Sequence, residues 1–212
     1  MTDICIFPIP NCVTFPGTVF PLHVFEPRYR AMLSHCMETQ TPVAICHTMK
    51  MISKGKKAET LPELLNSNQA TYRPYDIFSA GLPQWHETTD DGRMYFTIHI
   101  DQRYRLGSEK QLLPYSVYDC EVFNDLEPSN EEQAKNALLK EKIIHRLSVI
   151  GQHEEFIQET LNSEEWLSLS AEQFSFQLFG MIRFEADLLQ QILEMNSATE
   201  RLERTLTLLN QV

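Results

Sequence analysis

The most chemically versatile side chains in this 212-residue sequence are five cysteines and seven histidines. Cys5, Cys12, Cys36, Cys46 and Cys120 are scattered and odd in number, unlike the dense, paired cysteines of a small secreted disulfide scaffold. His35-Cys36 and Cys46-His47 together hold the four nitrogen and sulfur ligands that zinc takes. Their spacing matches no zinc-finger pattern. Adjacent residues on a strand also point to opposite faces, so Cys46 and His47 are not expected to converge on one ion. Cys36 lies on the apolar stripe of its segment, where a thiol behaves as a small hydrophobe. Nucleophilic catalysis needs a Cys or Ser held against a His, and no local signature marks such a pair. The phosphate-cradling G-x-x-x-x-G-K-[ST], the G-x-S-x-G elbow, H-E-x-x-H and C-x-x-C are all absent from the sequence. The expectation is therefore no catalytic residue, no metal and no cofactor.

The formal charge of −11 disfavours nucleic acid, because a phosphate-backbone binder needs a concentrated basic face. No apolar run approaches the roughly 18 residues of a membrane span. The start, Met1-Thr2-Asp3-Ile4-Cys5, lacks the basic and apolar regions of a signal peptide, and a cytoplasmic protein without membrane partners is expected.

The elements that would position any site change character near residue 125. Up to there the chain has 11 basic and 14 acidic residues, and beyond it 7 and 15; the last proline is Pro128. A β-rich part over residues 1–125 and a helical part over 126–212 are expected. Strands are predicted at Ile4–Phe7, Val19–Phe25, Val43–Met49, Asp76–Ala80, Met94–Ile100 and Ser116–Phe123, with Asp90-Asp91-Gly92 as a hairpin turn. One helix interrupts them after Glu26-Pro27, where Tyr29, Met32, Leu33, Cys36 and Met37 recur at helical spacing. Lys50–Pro62 reads as a solvated, lysine-bearing loop. In the second part, Ser129-x-x-Glu132, Ser170-x-x-Gln173 and Ser197-x-x-Glu200 read as capping boxes. The first opens a stripe of Leu139, Ile143, Leu147 and Ile150, closed by Gly151. Phe174, Leu178, Met181 and Ile182 make the next stripe, and Leu202, Leu206 and Leu209 the last. Four or five helices should pack as a bundle.

One run is distinctive as a whole: Phe7-Pro8-Ile9-Pro10, then Phe15-Pro16-Gly17, then Phe20-Pro21-Leu22-His23-Val24-Phe25-Glu26-Pro27-Arg28-Tyr29. It resembles the opening of the amino-terminal, substrate-binding domain of Lon proteases. The likeness continues through Asp91-Gly92-Arg93, Arg103-Tyr104-Arg105-Leu106, Pro114-Tyr115-Ser116, Phe174–Phe179, Leu188–Glu194 and Arg201-Leu202. It departs from the family at Phe78-Ser79, where Gly-Thr is usual, and at Ile100, where a glycine is usual. The resemblance implies an α+β fold: a PUA-like β-barrel or set of twisted sheets with one inserted helix, followed by a carboxy-terminal helical bundle. Phe15, Pro16, Gly17, Phe25, Glu26, Pro27, Arg28 and Tyr29 form its structural motif. Local physics agrees, since proline fixes φ and removes a ladder donor at a bend or edge, and Arg28 can pair with Glu26 or with a strand carbonyl.

By the same resemblance, the expected function is a non-enzymatic module that binds unfolded or client polypeptide and serves as an adaptor to an ATPase or protease machine. Full Lon proteases continue into an ATPase and a Ser-Lys peptidase, and this sequence carries the motifs of neither. Contacts are expected at Trp85, in the polar stretch Pro83–Glu87, at Tyr95, and at Arg28 and Tyr29. The alternatives are RNA binding, by analogy with other PUA-like folds, and a hydrolase with an unmarked Cys/Ser-His pair.

Overall fold

The protein is described from a computed structural model that covers residues 1–54, 60, 63 and 70–211. The chain divides into two compact units, Met1–Phe123 with Glu185–Gln190, and Asn124–Phe184 with Gln191–Val212.

Among the described residues the first unit has eight strands: β1 (Thr2–Pro8), β2 (Val19–Val24), β3 (Val43–Cys46), β4 (Thr48–Ser53), β5 (Thr71–Pro74), β6 (Ile77–Thr88), β7 (Met94–Gln111) and β8 (Ser116–Val122). Helix α1 (Pro27–Thr39) joins β2 to β3. Pairings run β7-β6-β3-β1-β8 and return to β7, closing a ring. β1 and β3 are parallel, and the other pairs are antiparallel. β2 lies outside the ring on the first half of β7, and β4 and β5 form a separate ribbon.

The alternation of side chains along β1 and β3 fills two cores. Ile4, Ile6, Ala44 and Cys46 join Phe78, Ala80, Tyr104 and Cys120 in one cluster, to which all five ring strands contribute. Cys5, Val43 and Ile45 point the other way, onto Met32, Leu33 and Cys36 of α1 and onto Phe96 and Ile98 of β7. Burial on both faces is why Ile4–Phe7 and Val43–Cys46 read as unbroken apolar runs.

The turn into β2 has a local cause. Thr18 N donates to Phe15 O at 3.2 Å, and Gly17 takes φ 79°, a conformation that a Cβ disfavours. Phe15 is thereby buried at the head of the strand. Pro21 sits in the middle of β2, an edge strand that among the described residues pairs with β7 alone.

The second unit contains α2 (Asn130–Ile150), α3 (Glu155–Asn162), α4 (Glu164–Ser168), α5 (Ala171–Gln177) with a 3-10 turn at Leu178–Gly180, the last part of α6 (Ala186–Glu194), and α7 (Ala198–Leu209). Leu139, Ile143, Leu147, Leu161, Phe174, Leu178, Leu202 and Leu209 form its core. The capping boxes at Ser129/Glu132 and Ser170/Gln173 are complete. Ser197 accepts from Glu200 N, and the capping is one-sided there. Arg201 is fully buried: its guanidinium donates to both carboxylate oxygens of Asp125, to Ser175 Oγ and to Met195 O, and it lies 3.8 Å over the Phe176 ring.

The α+β class and the β-then-helix order stand as expected. Several boundaries move. β6 extends to Thr88 and β7 to Gln111, because ladder pairing with a neighbouring strand holds their polar residues extended. Lys50 belongs to β4, which pairs with the unforeseen β5; most of the rest of Lys50–Pro62 lies outside the described residues. Met37 and Ile150 are exposed: Met37 lies just beyond the arc that its helix buries, and Ile150 is the last residue of α2. Gly151 caps α2 at φ −90°, without the left-handed turn expected of a closing glycine.

Candidate functional site

α1 begins with Pro27, whose fixed φ suits a first helical turn. Glu26, the residue before it, does not cap the helix with its side chain. It accepts instead from Arg28, Nε to Oε2 at 3.0 Å. The Arg28 guanidinium also donates to Thr71 Oγ1 at 3.0 Å and to Ala70 O at 2.9 Å, so it ties the start of α1 to β5. Its carbon lies 4.5 Å over the Tyr29 ring, and Tyr29 stacks on Phe7 at 4.0 Å. Burial pushes the Tyr29 hydroxyl up to about 12, so it stays protonated at any physiological pH.

This clamp forms the wall between two concavities. On one side a cavity of about 360 Å³ runs along Phe7–Pro10, Leu22–Glu26 and Tyr72. On the other, a cavity of about 590 Å³ shares Pro8, Arg28, Tyr29 and Tyr72, and continues over Ile52, Leu112, Leu113 and Tyr118. Leu113 is 79% exposed, Leu112 53% and Ile52 61%, an unusual density of solvated aliphatic surface at one rim. Of the charged residues that line these two cavities, Glu26 pairs with Arg28, and Arg73 and Glu109 add one charge of each sign. The lining therefore favours apolar and aromatic groups over phosphates or carboxylates.

A third concavity, about 450 Å³ and more open, is lined by Pro21, Leu22, His23, His86, Tyr95 and Thr97. It shares Leu22 and His23 with the first. Tyr95, opposite His23 across the β2–β7 pairing, stacks on its ring at 4.5 Å. The structure thus brings Arg28, Tyr29 and Tyr95 to neighbouring walls of linked concavities. Trp85 is 47% exposed on β6, donates to Thr88 Oγ1 at 3.3 Å, and lines none of these three. Leu112, Leu113, Ile52 and Tyr72 were missed from sequence. The available signal was two consecutive leucines immediately before Pro114, in a connection where polar residues are usual.

The chemically versatile residues are packed away separately. Cys36 and Cys46 fall in different apolar clusters, and His35 is exposed on α1. His47 is buried, accepts from Asn11 N at its Nδ1 (3.0 Å) and so donates from Nε2 to Asp187 at 3.2 Å. Burial pushes the Cys12 and Cys120 thiols up to about 11 and raises Cys46. Cys36 is raised by its contact with the Cys5 thiol and by burial. Thiols held protonated in this way are weak nucleophiles. Among the described residues, no helix is long and apolar enough to cross a membrane.

Among the solved structures that share this fold are two Lon N-terminal domains. The crystal structure of a Lon N-terminal domain protein from Xanthomonas campestris superposes with a TM-score of 0.59 at 15% identity, covering 98% of each chain. The N-terminal domain of a Mycobacterium avium complex Lon protease gives 0.69 at 13% identity, covering 99% of this chain and 98% of that one. No curated protein matches the chain in a sequence comparison. The sequence pattern of the ATP-dependent protease La (LON) substrate-binding domain matches residues 3–211, and with nearly its whole length accounted for in this way, the chain belongs to that family.

Proposed function

We propose that the protein is a non-enzymatic polypeptide-binding module that holds unfolded or degradation-bound chains in the cytoplasm and acts as an adaptor to a separate ATP-dependent protease. The observation that carries this reading is the exposed aliphatic rim of Ile52, Leu112 and Leu113 over the 590 Å³ cavity, walled by Tyr29 and Tyr72. A solvated apolar rim over a concave aromatic wall suits side chains that a folded client would bury. Arg28 and Tyr29 act as the clamp that keeps the wall in place, and Tyr95 and Trp85 extend the contact surface along β6 and β7. The family to which the chain belongs is named for substrate binding, which supports the same reading.

The test is fluorescence anisotropy with fluorescein-labelled casein, a loosely structured polypeptide. Replacing Leu112→Ser and Leu113→Ser together should weaken binding about tenfold, the scale of losing two aliphatic contacts. Trp85→Ala and Tyr95→Ala should weaken it less. Unchanged affinity in the double variant would sink the proposal. So would casein binding that collapses with modest added salt and is competed away by RNA, the behaviour of a phosphate-backbone binder.

A further inference from the structure

Four tyrosines, Tyr29, Tyr72, Tyr115 and Tyr118, line the 590 Å³ cavity together with Pro8 and Pro114. Tyrosine gives such a wall flat apolar faces and a polar hydroxyl at the edge of each ring. The Tyr118 hydroxyl is used within the protein, where it donates to Glu109 Oε2 at 3.1 Å. The Tyr29 and Tyr72 hydroxyls make no hydrogen bond among the described residues, and the two side chains lie close enough to interact electrostatically. Burial keeps the proton on Tyr29, so its hydroxyl remains a donor at physiological pH. The cavity therefore holds aromatic faces and hydroxyl donors that want acceptors.

Charge narrows the choice of occupant. The ionic groups of the lining are already paired: Arg28 with Glu26 at 2.9 Å, Arg73 with Asp76 at 3.7 Å, and Glu109 with the Tyr118 hydroxyl. A lining neutral in this way is complementary to a neutral segment, because a charged side chain would lose its water without gaining a partner. The backbone of the occupant matters as well. An ordinary extended segment brings an N–H at every residue, and each must find an acceptor on leaving water. A proline-rich segment lacks most of those donors and keeps every carbonyl. In the polyproline II conformation these carbonyls are free of internal hydrogen bonds, and the chain is stiff before it binds, so little conformational entropy is lost. Aromatic-lined grooves recognise such segments on this basis.

We infer that this cavity takes a proline-rich segment of polypeptide in the polyproline II conformation, its pyrrolidine rings against the tyrosine faces and its carbonyls accepting from the Tyr29 and Tyr72 hydroxyls. The inference rests on the reading above that the cavity binds polypeptide, and it names the class of segment.

The test uses the full chain and two fluorescein-labelled peptides, Pro-Pro-Leu-Pro-Pro-Leu-Pro-Pro and its counterpart with alanine at every proline, which keeps the leucines and restores the N–H groups. The proline peptide should bind about tenfold more tightly, the scale of sparing one or two backbone donors a loss of water. Tyr72→Phe keeps the ring, removes a hydroxyl that has no partner within the protein, and leaves the fold intact. It should weaken the proline peptide about fivefold, the scale of one hydrogen bond, and leave the alanine peptide unchanged. Equal affinity for the two peptides, or tighter binding of the alanine peptide, would overturn the inference. So would a proline preference that Tyr72→Phe does not touch. If casein binds and depends on Leu112 and Leu113 while proline confers no advantage, this inference alone fails. If neither casein nor peptide binds, both readings fall.

Discussion

Arg201 is the residue on which the helical unit turns. A guanidinium with no solvent exposure is tolerable only when its donors and its charge are matched, and Asp125, Ser175 and Met195 O together do this. Removing one partner leaves a buried charge behind. Arg201→Ala should therefore lower unfolding free energy by about 3–5 kcal/mol, and Asp125→Leu by a similar amount. The pair Arg201→Met with Asp125→Leu should cost much less than the two single changes added together. Urea titrations of the four chains measure this directly. The position was visible in the sequence as part of a family-like Arg-Leu pair, but its importance was not. An arginine between capping signals and leucines reads as surface, since its partner lies 76 residues away. Glu26 and Arg28 were legible for the opposite reason, because they are two residues apart and flank a proline.

At the scale of elements, β7 carries the most information that local sequence withholds. It runs 18 residues, pairing with β2 and β6 along its first part and with β6 and β8 later. Such a strand must bend, and its register against β6 slips between Ala80 and Gly81. At Gly81 the neighbouring strand comes so near that a Cβ would lie 1.7 Å from His99 O. Gly81→Ala should accordingly force the two strands apart at the bulge and accelerate amide exchange in residues 98–101 well beyond any change in the helical unit; unchanged exchange there would refute this account. Alternation found the beginning of β7, where one face is half-solvated, and lost its end, where paired strands replace a hydrophobic pattern as the reason for being extended. In the helical unit, capping chemistry located α2, α5 and α7 because it is local. The short α3 and α4 escaped because their starts, Glu154 and Ser163, announce no complete box.

For the molecule as a whole, chain order and spatial grouping part company. Glu185–Gln190 belongs with the β-rich unit although some sixty residues of the helical unit precede it. Gln190 Nε2 donates to Ile77 O at 2.9 Å, and Asp187 meets His47. Gln190→Ala should lower the stability of the β-rich unit by about 1–3 kcal/mol, the scale of losing a buried hydrogen bond. Exchange at the head of β6 reports it, and an unaltered rate there would mean that the contact contributes nothing. No periodicity or cap could reveal this return, because it is a statement about three-dimensional neighbours. The concavities were illegible for the same reason: their walls come from β1, α1, β5 and the connection before β8.

The edge strand β2 has one more consequence. An unprotected sheet edge would let other extended chains, or other copies of the same molecule, pair onto it and grow into fibres. Pro21 stands in the middle of that edge and has no N–H to offer. By breaking the row of donors, it works against association through that edge and denies other strands the backbone pairing from which polymerisation would start.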